Sequence, residues 1–275
     1  MTEQTVCRDL DDVTVVIKTF EREDSLRAML QSMRLFYPTI RAIIIDDSKI
    51  QLDRDSFDEY TTYIHTEYDI GLSDGRNRGV ELAQTEFVFI IDDDFIFTEH
   101  SRLDLLRMPV ASGGFAIAGS RMFNFGHREV TFHGSMEVDD GTLRLLMEQH
   151  KGSHAGFPVF DFCLNLLMSR RDFLLENRWS PELKMREHWD FFLRIKKTQS
   201  GLVTMRHDTS FLHFPHRPTH YAPLRRERNT EVYAKMALDK NGISRVEKVP
   251  SFRAKLEAEY LRKQMSLRRL FGQRG

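Results

Sequence analysis

The chain has 275 residues, 41% hydrophobic and 29% charged, with a formal net charge of -1. This length suits one sizeable α/β domain with an appendage and is too short for two full enzyme domains. The near-neutral charge argues against a nucleic-acid binder, and two cysteines without metal-type spacing, Cys7 and Cys163, argue against a disulfide-stapled scaffold.

The neutrality is an average of two unlike parts. Residues 217–275 carry 15 Lys+Arg against 6 Asp+Glu, so residues 1–216 are acidic by about the same margin. A boundary is therefore expected there, with a catalytic domain over 1–216 and a basic extension over 217–275. The start, MTEQTVCRDLDD, is polar and acidic and does not read as a signal peptide. No apolar run of about 20 residues occurs, so the expected setting is cytoplasmic, with peripheral contact at the inner membrane face.

The first half alternates strand and helix signals. Val13 to Lys18 is a short β-branched run, and Asp24 is placed to cap a helix through Leu35, which Pro38 closes. Arg41 to Asp46 is a second buried strand, and Thr62 to Glu67 a half-exposed third. Gly71 to Gln84 reads as a loop running into a helix, and Glu86 to Asp92 as the next strand. This order predicts a mostly parallel, Rossmann-like sheet with helices on both faces and a ligand beyond the strands' carboxyl ends.

Beyond Asp94 the pattern loosens. Strands are expected over 113–123 and 128–138, a strand joined to a helix over 161–178, and a helix over 183–197. LVTMRH and SFLHF are two further strand candidates. The tail from Ser251 to Phe271 spaces Phe252, Leu256, Tyr260, Leu267 and Phe271 at helical intervals among Lys and Arg, and reads as a basic amphipathic helix.

The chemistry concentrates in a few motifs. Asp92, Asp93 and Asp94 are adjacent carboxylates at the end of an apolar strand. They repel one another, nothing local explains them, and a hard cation such as Mn²⁺ or Mg²⁺ would. Asp46 and Asp47 end another strand, where a carboxylate can accept the imide N–H of a uracil. Arg76 and Asn77 lie between Gly75 and Gly79 near a helix start, a setting that favours phosphate. Glu187 and Asp190 are three apart and share one helix face, giving two candidates for a general base. His207, His213 and His216 follow, and one of them can fill a remaining metal position.

In order, VTVVIKTFER, FYP, IIIDDS, GLSDGRNRG and FVFIIDDDFIFT resemble the family 2 type of GT-A glycosyltransferases, and within it the β1,4-N-acetylgalactosaminyltransferases of ganglioside synthesis and their bacterial relatives. The likeness is good over 13–99 and weaker from Asp161 to His213. It implies a GT-A fold with a C-terminal helical extension, and inverting transfer of a hexose or N-acetylhexosamine from a UDP-sugar. It implies that Thr19, Phe20 and Arg22 line the nucleotide pocket and that Asp46 and Asp47 face the base. Arg76 and Asn77 would approach the diphosphate, Asp92 and Asp93 the donor, and Asp94, Asp92 and His213 the metal. Asp190, with Glu187 as its alternative, would be the base. Family members often carry Glu-Asp where this chain reads Glu187-His188. The ganglioside enzymes carry an N-terminal membrane anchor, and none is read in this sequence, so a bacterial enzyme of surface polysaccharide synthesis is expected. Its acceptor would be a glycan or a lipid-linked glycan, with the basic tail on an anionic membrane. The competing readings are a nucleotidyltransferase, for which KTFER is a poor start, and an inactive glycan-binding relative.

Overall fold

The structure, a computed structural model, describes residues 10–126, 128–215 and 230–251. Strand β1 (Val13–Thr19) leads into helix α1 (Glu23–Phe36), followed by β2 (Arg41–Asp46), β3 (Thr61–His65), α2 (Leu72–Leu82) and β4 (Phe87–Asp92). Then come β5 (Phe95–Ile96), α3 (Leu103–Ala111), β6 (Ile117–Asn124), β7 (Arg128–Val130), β8 (Gly134–Asp139) and β9 (Thr142–Met147). The chain continues through β10 (Ser153–His154), β11 (Phe157–Pro158), β12 (Leu167–Arg170), α4 (Arg171–Glu176) and α5 (Glu187–Thr198). It proceeds through β13 (Val203–His213), α6 (Thr230–Asn241) and β14 (Arg245–Val249).

The main sheet runs β3-β2-β1-β4-β12-β6-β13-β5, with β7 paired to β6. Strands β3, β2, β1 and β4 are parallel, and β12 then enters antiparallel to both β4 and β6. The parallel half is as the alternating pattern predicts. Strands β1, β2 and β4 are buried on both faces and so read as continuous apolar runs, while β3 at the edge is partly exposed. Alternate residues serve opposite layers. Val13, Val15 and Ile17 of β1 join Leu26, Met29 and Met33 of α1 and Leu103 and Leu106 of α3 in one core. Val16 points the other way, with Val80 of α2 and Phe191 and Phe192 of α5.

Two glycines let α2 lie close to β1. A Cβ on Gly79 would stand 2.3 Å from Val16 Cγ1, and one on Gly75 would stand 2.2 Å from Lys18 Cδ. Tyr37 joins α1 to α3 by donating to the Ser101 carbonyl at 2.7 Å and accepting from the Leu103 N–H at 2.9 Å.

Several expectations are corrected. Arg22, not Asp24, occupies the N-cap of α1. Asp24 sits in the first turn beside Glu23, where negative charge suits the helix dipole. The strand expected over 128–138 is two strands in different sheets, β7 and β8. LVTMRH and SFLHF are one strand, β13, interrupted by a register shift between Arg206 and Ser210. Helix α5 begins at Glu187, four residues late, because Arg186 takes a left-handed conformation with φ 67°.

Beyond the expected boundary at 216/217, the described residues 230–251 touch the preceding part of the chain. Strand β14 pairs in parallel with β9, and Ile243 is buried in the same core as α5. Asn241 of α6 donates to Asp190 at 2.7 Å. The amphipathic helix expected from Ser251 to Phe271 lies outside the described residues, apart from Ser251, as does His216.

Candidate active site

In the parallel half the chain moves outward from β1 through β2 to β3, then crosses back to β4 on the other side of β1. Such a reversal opens a crevice at the carboxyl ends of the strands. Thr19 is in register with Asp46, and Lys18 with Asp92, so the last residues of β1, β2 and β4 share one edge. The sheet thus collects acids that are distant in sequence.

The three aspartates at the end of β4 have separate surroundings. Asp92 is 27% exposed and accepts from Arg76 Nη2 at 2.8 Å. Asp93 is fully buried, accepts from Thr19 Oγ1 at 2.6 Å and is ion-paired to Arg22. Burial pushes its carboxyl up, against the pull of Arg22. Asp94 accepts from Arg22 Nη1 at 2.6 Å and faces His213 Nε2 at 3.4 Å. Burial acts to raise it, but His213 and Arg22 outweigh this and hold it below the ordinary carboxylate range.

His213 is set for ligation. Its Nδ1 lies 2.8 Å from Asn124 Oδ1, an acceptor, so Nδ1 donates there and Nε2 faces Asp94, where a cation between the two would take the Nε2 electron pair. The ring packs on Phe95 with centroids 5.1 Å apart. Asp94 and His213 are thus a carboxylate oxygen and an imidazole nitrogen in one place, a donor pair that suits Mn²⁺ or Mg²⁺ when phosphate oxygens complete the shell. Asp92, expected as a third ligand, is engaged by Arg76. Among the described residues no group of three or more His, Cys, Asp or Glu is placed to hold a metal ion.

The other strand-end acids are pinned. Asp46 accepts from Ser48 N–H at 2.9 Å and from Tyr63 OH at 2.7 Å. Asp47, 0% exposed, pairs with the Lys18 ammonium and accepts from the Gly71 N–H at 2.9 Å. Burial pulls the Lys18 ammonium down, and Asp47 opposes that. Arg76 is 1% exposed and joins Asp92 to Glu187. Asn77 does not reach the crevice: its side chain donates to the Trp179 carbonyl at 2.8 Å and accepts from the Trp179 N–H at 3.0 Å.

At the start of α5, Glu187 and Asp190 are both buried. Glu187 accepts from Arg76 Nη1 at 2.5 Å and from Asn165 Nδ2 at 3.0 Å. Asp190 is 0% exposed and accepts from Ser180 Oγ at 2.8 Å and Asn241 Nδ2 at 2.7 Å, with Arg194 Nε at 3.3 Å. The structure therefore brings Glu187 to the crevice wall but ties Asp190 into the packing of α5 against α6.

The crevice holds a cavity of about 330 Å³ walled by Lys18, Thr19, Phe20, Arg22, Glu187 and His188. A second, of about 310 Å³, adjoins it through Thr19 and Arg22 and reaches Asp46 and Ser48. A larger one of about 580 Å³ lies along β13 at His100, Arg121 and His207. It contains none of the strand-end carboxylates, so the chemistry belongs to the crevice. His207 lies with it, away from Asp94. Reading the sequence did not single out Lys18 or His188. A lysine closing the apolar run VTVVIK was the available signal for the first.

Comparison with known proteins agrees with this geometry. The sequence profile of Glycosyl transferase family 2 matches residues 14–227. Human beta-1,4 N-acetylgalactosaminyltransferase 1 is 33% identical over 189 residues, covering 66% of this chain and 35% of the human protein. Mouse beta-1,4 N-acetylgalactosaminyltransferase 2 is 28% identical over 196 residues, with the same coverage of 66% and 35%. The chain thus spans about a third of the length of these relatives. Among solved structures, S. aureus TarS superposes with a TM-score of 0.54 at 16% identity, over 74% of this chain and 36% of that one. TarS 1-349 in complex with UDP-GlcNAc superposes at 0.53 with 14% identity, over 77% and 60%. This likeness gives the fold, a GT-A arrangement of a mixed sheet flanked by helices.

Proposed function

The chain belongs to glycosyl transferase family 2, and from that premise we propose that it transfers a hexose or N-acetylhexosamine, with inversion, from a UDP-sugar to a glycan or glycolipid acceptor. The observation that carries this reading is the row of Asp92, Asp93 and Asp94 at the crevice formed by β1, β2 and β4, with His213 beside Asp94. The names of the relatives favour N-acetylgalactosamine, and the TarS complex favours a UDP-bound N-acetylhexosamine; UDP-Gal completes the set of donors.

In this reading the uridine lies between Phe20 and the Asp46 side of the crevice, and the diphosphate turns toward Arg22 and Asp94. A divalent cation held by Asp94 and His213, with Asp92 alongside, would neutralise charge on the departing UDP. Arg22, already paired to Asp93 and Asp94, holds both carboxylates in place. A group at the start of α5 takes the acceptor's proton. The positive charge of 217–275 supports peripheral contact with an anionic membrane, and surface polysaccharide synthesis fits a lipid-linked acceptor. Among the described residues no helix is long and apolar enough to cross a membrane.

The experiment is UDP release from UDP-GalNAc, UDP-GlcNAc and UDP-Gal, with and without Mn²⁺. One donor should stand out and need the metal. No release from any donor, with UDP still bound, points to the glycan-binding relative instead.

A further inference from the structure

Three titratable groups open α5: Glu187, His188 and Asp190. Asp190 is fully enclosed and already takes hydrogen bonds from Ser180 and Asn241. Glu187 is 1% exposed, and Arg76 and Asn165 already donate to its Oε1. Burial acts to raise its carboxyl, yet His188 and Arg76 hold it well below the usual range. A carboxylate so stabilised is a poor proton acceptor. His188 differs from both. Its side chain is 31% exposed, it walls the same cavity as Thr19 and Arg22, and its Nδ1 lies 3.2 Å from Glu187 Oε1. Its ring stands edge-on to Phe132, with centroids 5.6 Å apart.

We propose that His188 is the general base that deprotonates the acceptor, with Glu187 as its positioning residue. The inference rests on the transferase reading above. Glu187 receives the Nδ1–H, which fixes the tautomer and leaves the Nε2 electron pair for the substrate. As the acceptor oxygen attacks C1 of the sugar, its O–H bond breaks and the proton passes to Nε2. The C1–O bond to the diphosphate breaks in the same step, and its electron pair leaves with UDP. The imidazolium that forms is stabilised by the Glu187 carboxylate, in the logic of a base oriented by a buried acid. Arg76 fixes that acid and also holds Asp92, so one guanidinium ties the base to the donor-side carboxylates.

The charged groups around His188 are Glu187 on its own helix, Arg186 before it, Lys18 and Arg22 across the cavity, and Lys248 of β14, whose ammonium sits 5.3 Å over Phe132.

The test uses the whole chain and measures UDP release from the three UDP-sugars, to water and to a panel of sugar acceptors, with UDP binding by calorimetry. His188→Gln should lower turnover by about 10²–10⁴-fold and leave UDP affinity within about twofold. His188→Asp, which restores a base of lower pKa, should recover part of the rate and move the acid limb of kcat/KM to lower pH. Turnover of His188→Gln above about a tenth of wild type, or an acid limb that does not move in His188→Asp, overturns the assignment. Loss of UDP binding in both variants also overturns it, because His188 then serves the fold or the donor. A wild type inactive with every donor defeats the transferase reading itself. An active wild type beside an active His188→Gln defeats only the base.

Discussion

Arg76 and Glu187, 111 positions apart in the chain, meet at 2.5 Å where each is 1% exposed. Burial works against the charge on both, and the pairing outweighs it: Glu187 is held low, and Arg76, between Glu187 and Asp92, is held high. Arg76→Met leaves Glu187 buried without its cation and should cost about 3–5 kcal/mol. Arg76→Met with Glu187→Leu should restore much of this, since an apolar pair of similar volume carries no desolvation penalty. Urea unfolding of the single and double variants measures both. A single variant within about 1 kcal/mol of wild type would show that the pair contributes little.

The approach of α2 to β1 gives a second prediction. In Gly79→Ala the new methyl would stand 2.3 Å from Val16 Cγ1, and Val16 is 0% exposed and β-branched, with no free rotamer to turn into. The substitution should cost about 1–3 kcal/mol, as overpacking does. Thermal unfolding should fall by several degrees, at about 2–4 °C per kcal/mol for a chain of this size. An unchanged midpoint would mean that α2 can slide away from β1 without penalty.

These two contacts show what the sequence could and could not convey. β1, β2 and β4 were legible because strands buried on both faces leave unbroken apolar runs, and Asp92 to Asp94 because carboxylates ending such a run have no local structural reason. Glu187 and Asp190 were correctly placed on a helix, but its rotation about its own axis was not legible. Burial of Phe191 and Phe192 turns Asp190 into the packing and leaves Glu187 in the crevice wall beside the more exposed His188. The pairing of Asp47 with Lys18 was not legible, because the two lie 29 positions apart. Helix α3 escaped notice because Pro109 lies inside it and reads as a breaker. The pairing of β14 with β9 depends on tertiary contact across about a hundred residues, which no local period encodes.

A third prediction concerns the metal. Asp94 and His213 bring an oxygen and a nitrogen donor together, and Asn124 fixes the imidazole tautomer that ligation needs. UDP affinity should rise on adding Mn²⁺ and fall on adding EDTA. Asp94→Ala should remove the metal-dependent part, by about tenfold or more, equivalent to roughly 1.4 kcal/mol. Asn124→Leu should weaken the metal response without touching a ligand, because the imidazole loses its orienting acceptor. Calorimetric titration of UDP with and without Mn²⁺ decides it, and equal affinity of Asp94→Ala and wild type in Mn²⁺ would sink the assignment.

The last prediction is a pH dependence set away from the crevice. His133 lies between β7 and β8, 6% exposed, with its ring against Phe160 at 5.0 Å and against His207 at 5.6 Å. Burial, reinforced by His207, pulls its pKa from 6.5 down to about 4. The native state therefore keeps this imidazole neutral, while the unfolded chain protonates it near 6.5. Between those values the unfolded state binds more protons, so stability is full above about pH 6.5 and is lost as pH falls toward 4. The shift corresponds to roughly 3 kcal/mol. Glu187, also held low, adds a loss of the same sign, but only below the ordinary carboxylate range. The two are separable by window. His133→Leu cannot protonate, so its unfolding free energy should fall less steeply than that of the wild type from about pH 6.5 to about pH 5, the contributions of Asp93 and His207 being common to both. Urea unfolding at steps of half a pH unit gives the two curves. Parallel curves across that window would assign the acid sensitivity to another group, with His207 the next to substitute.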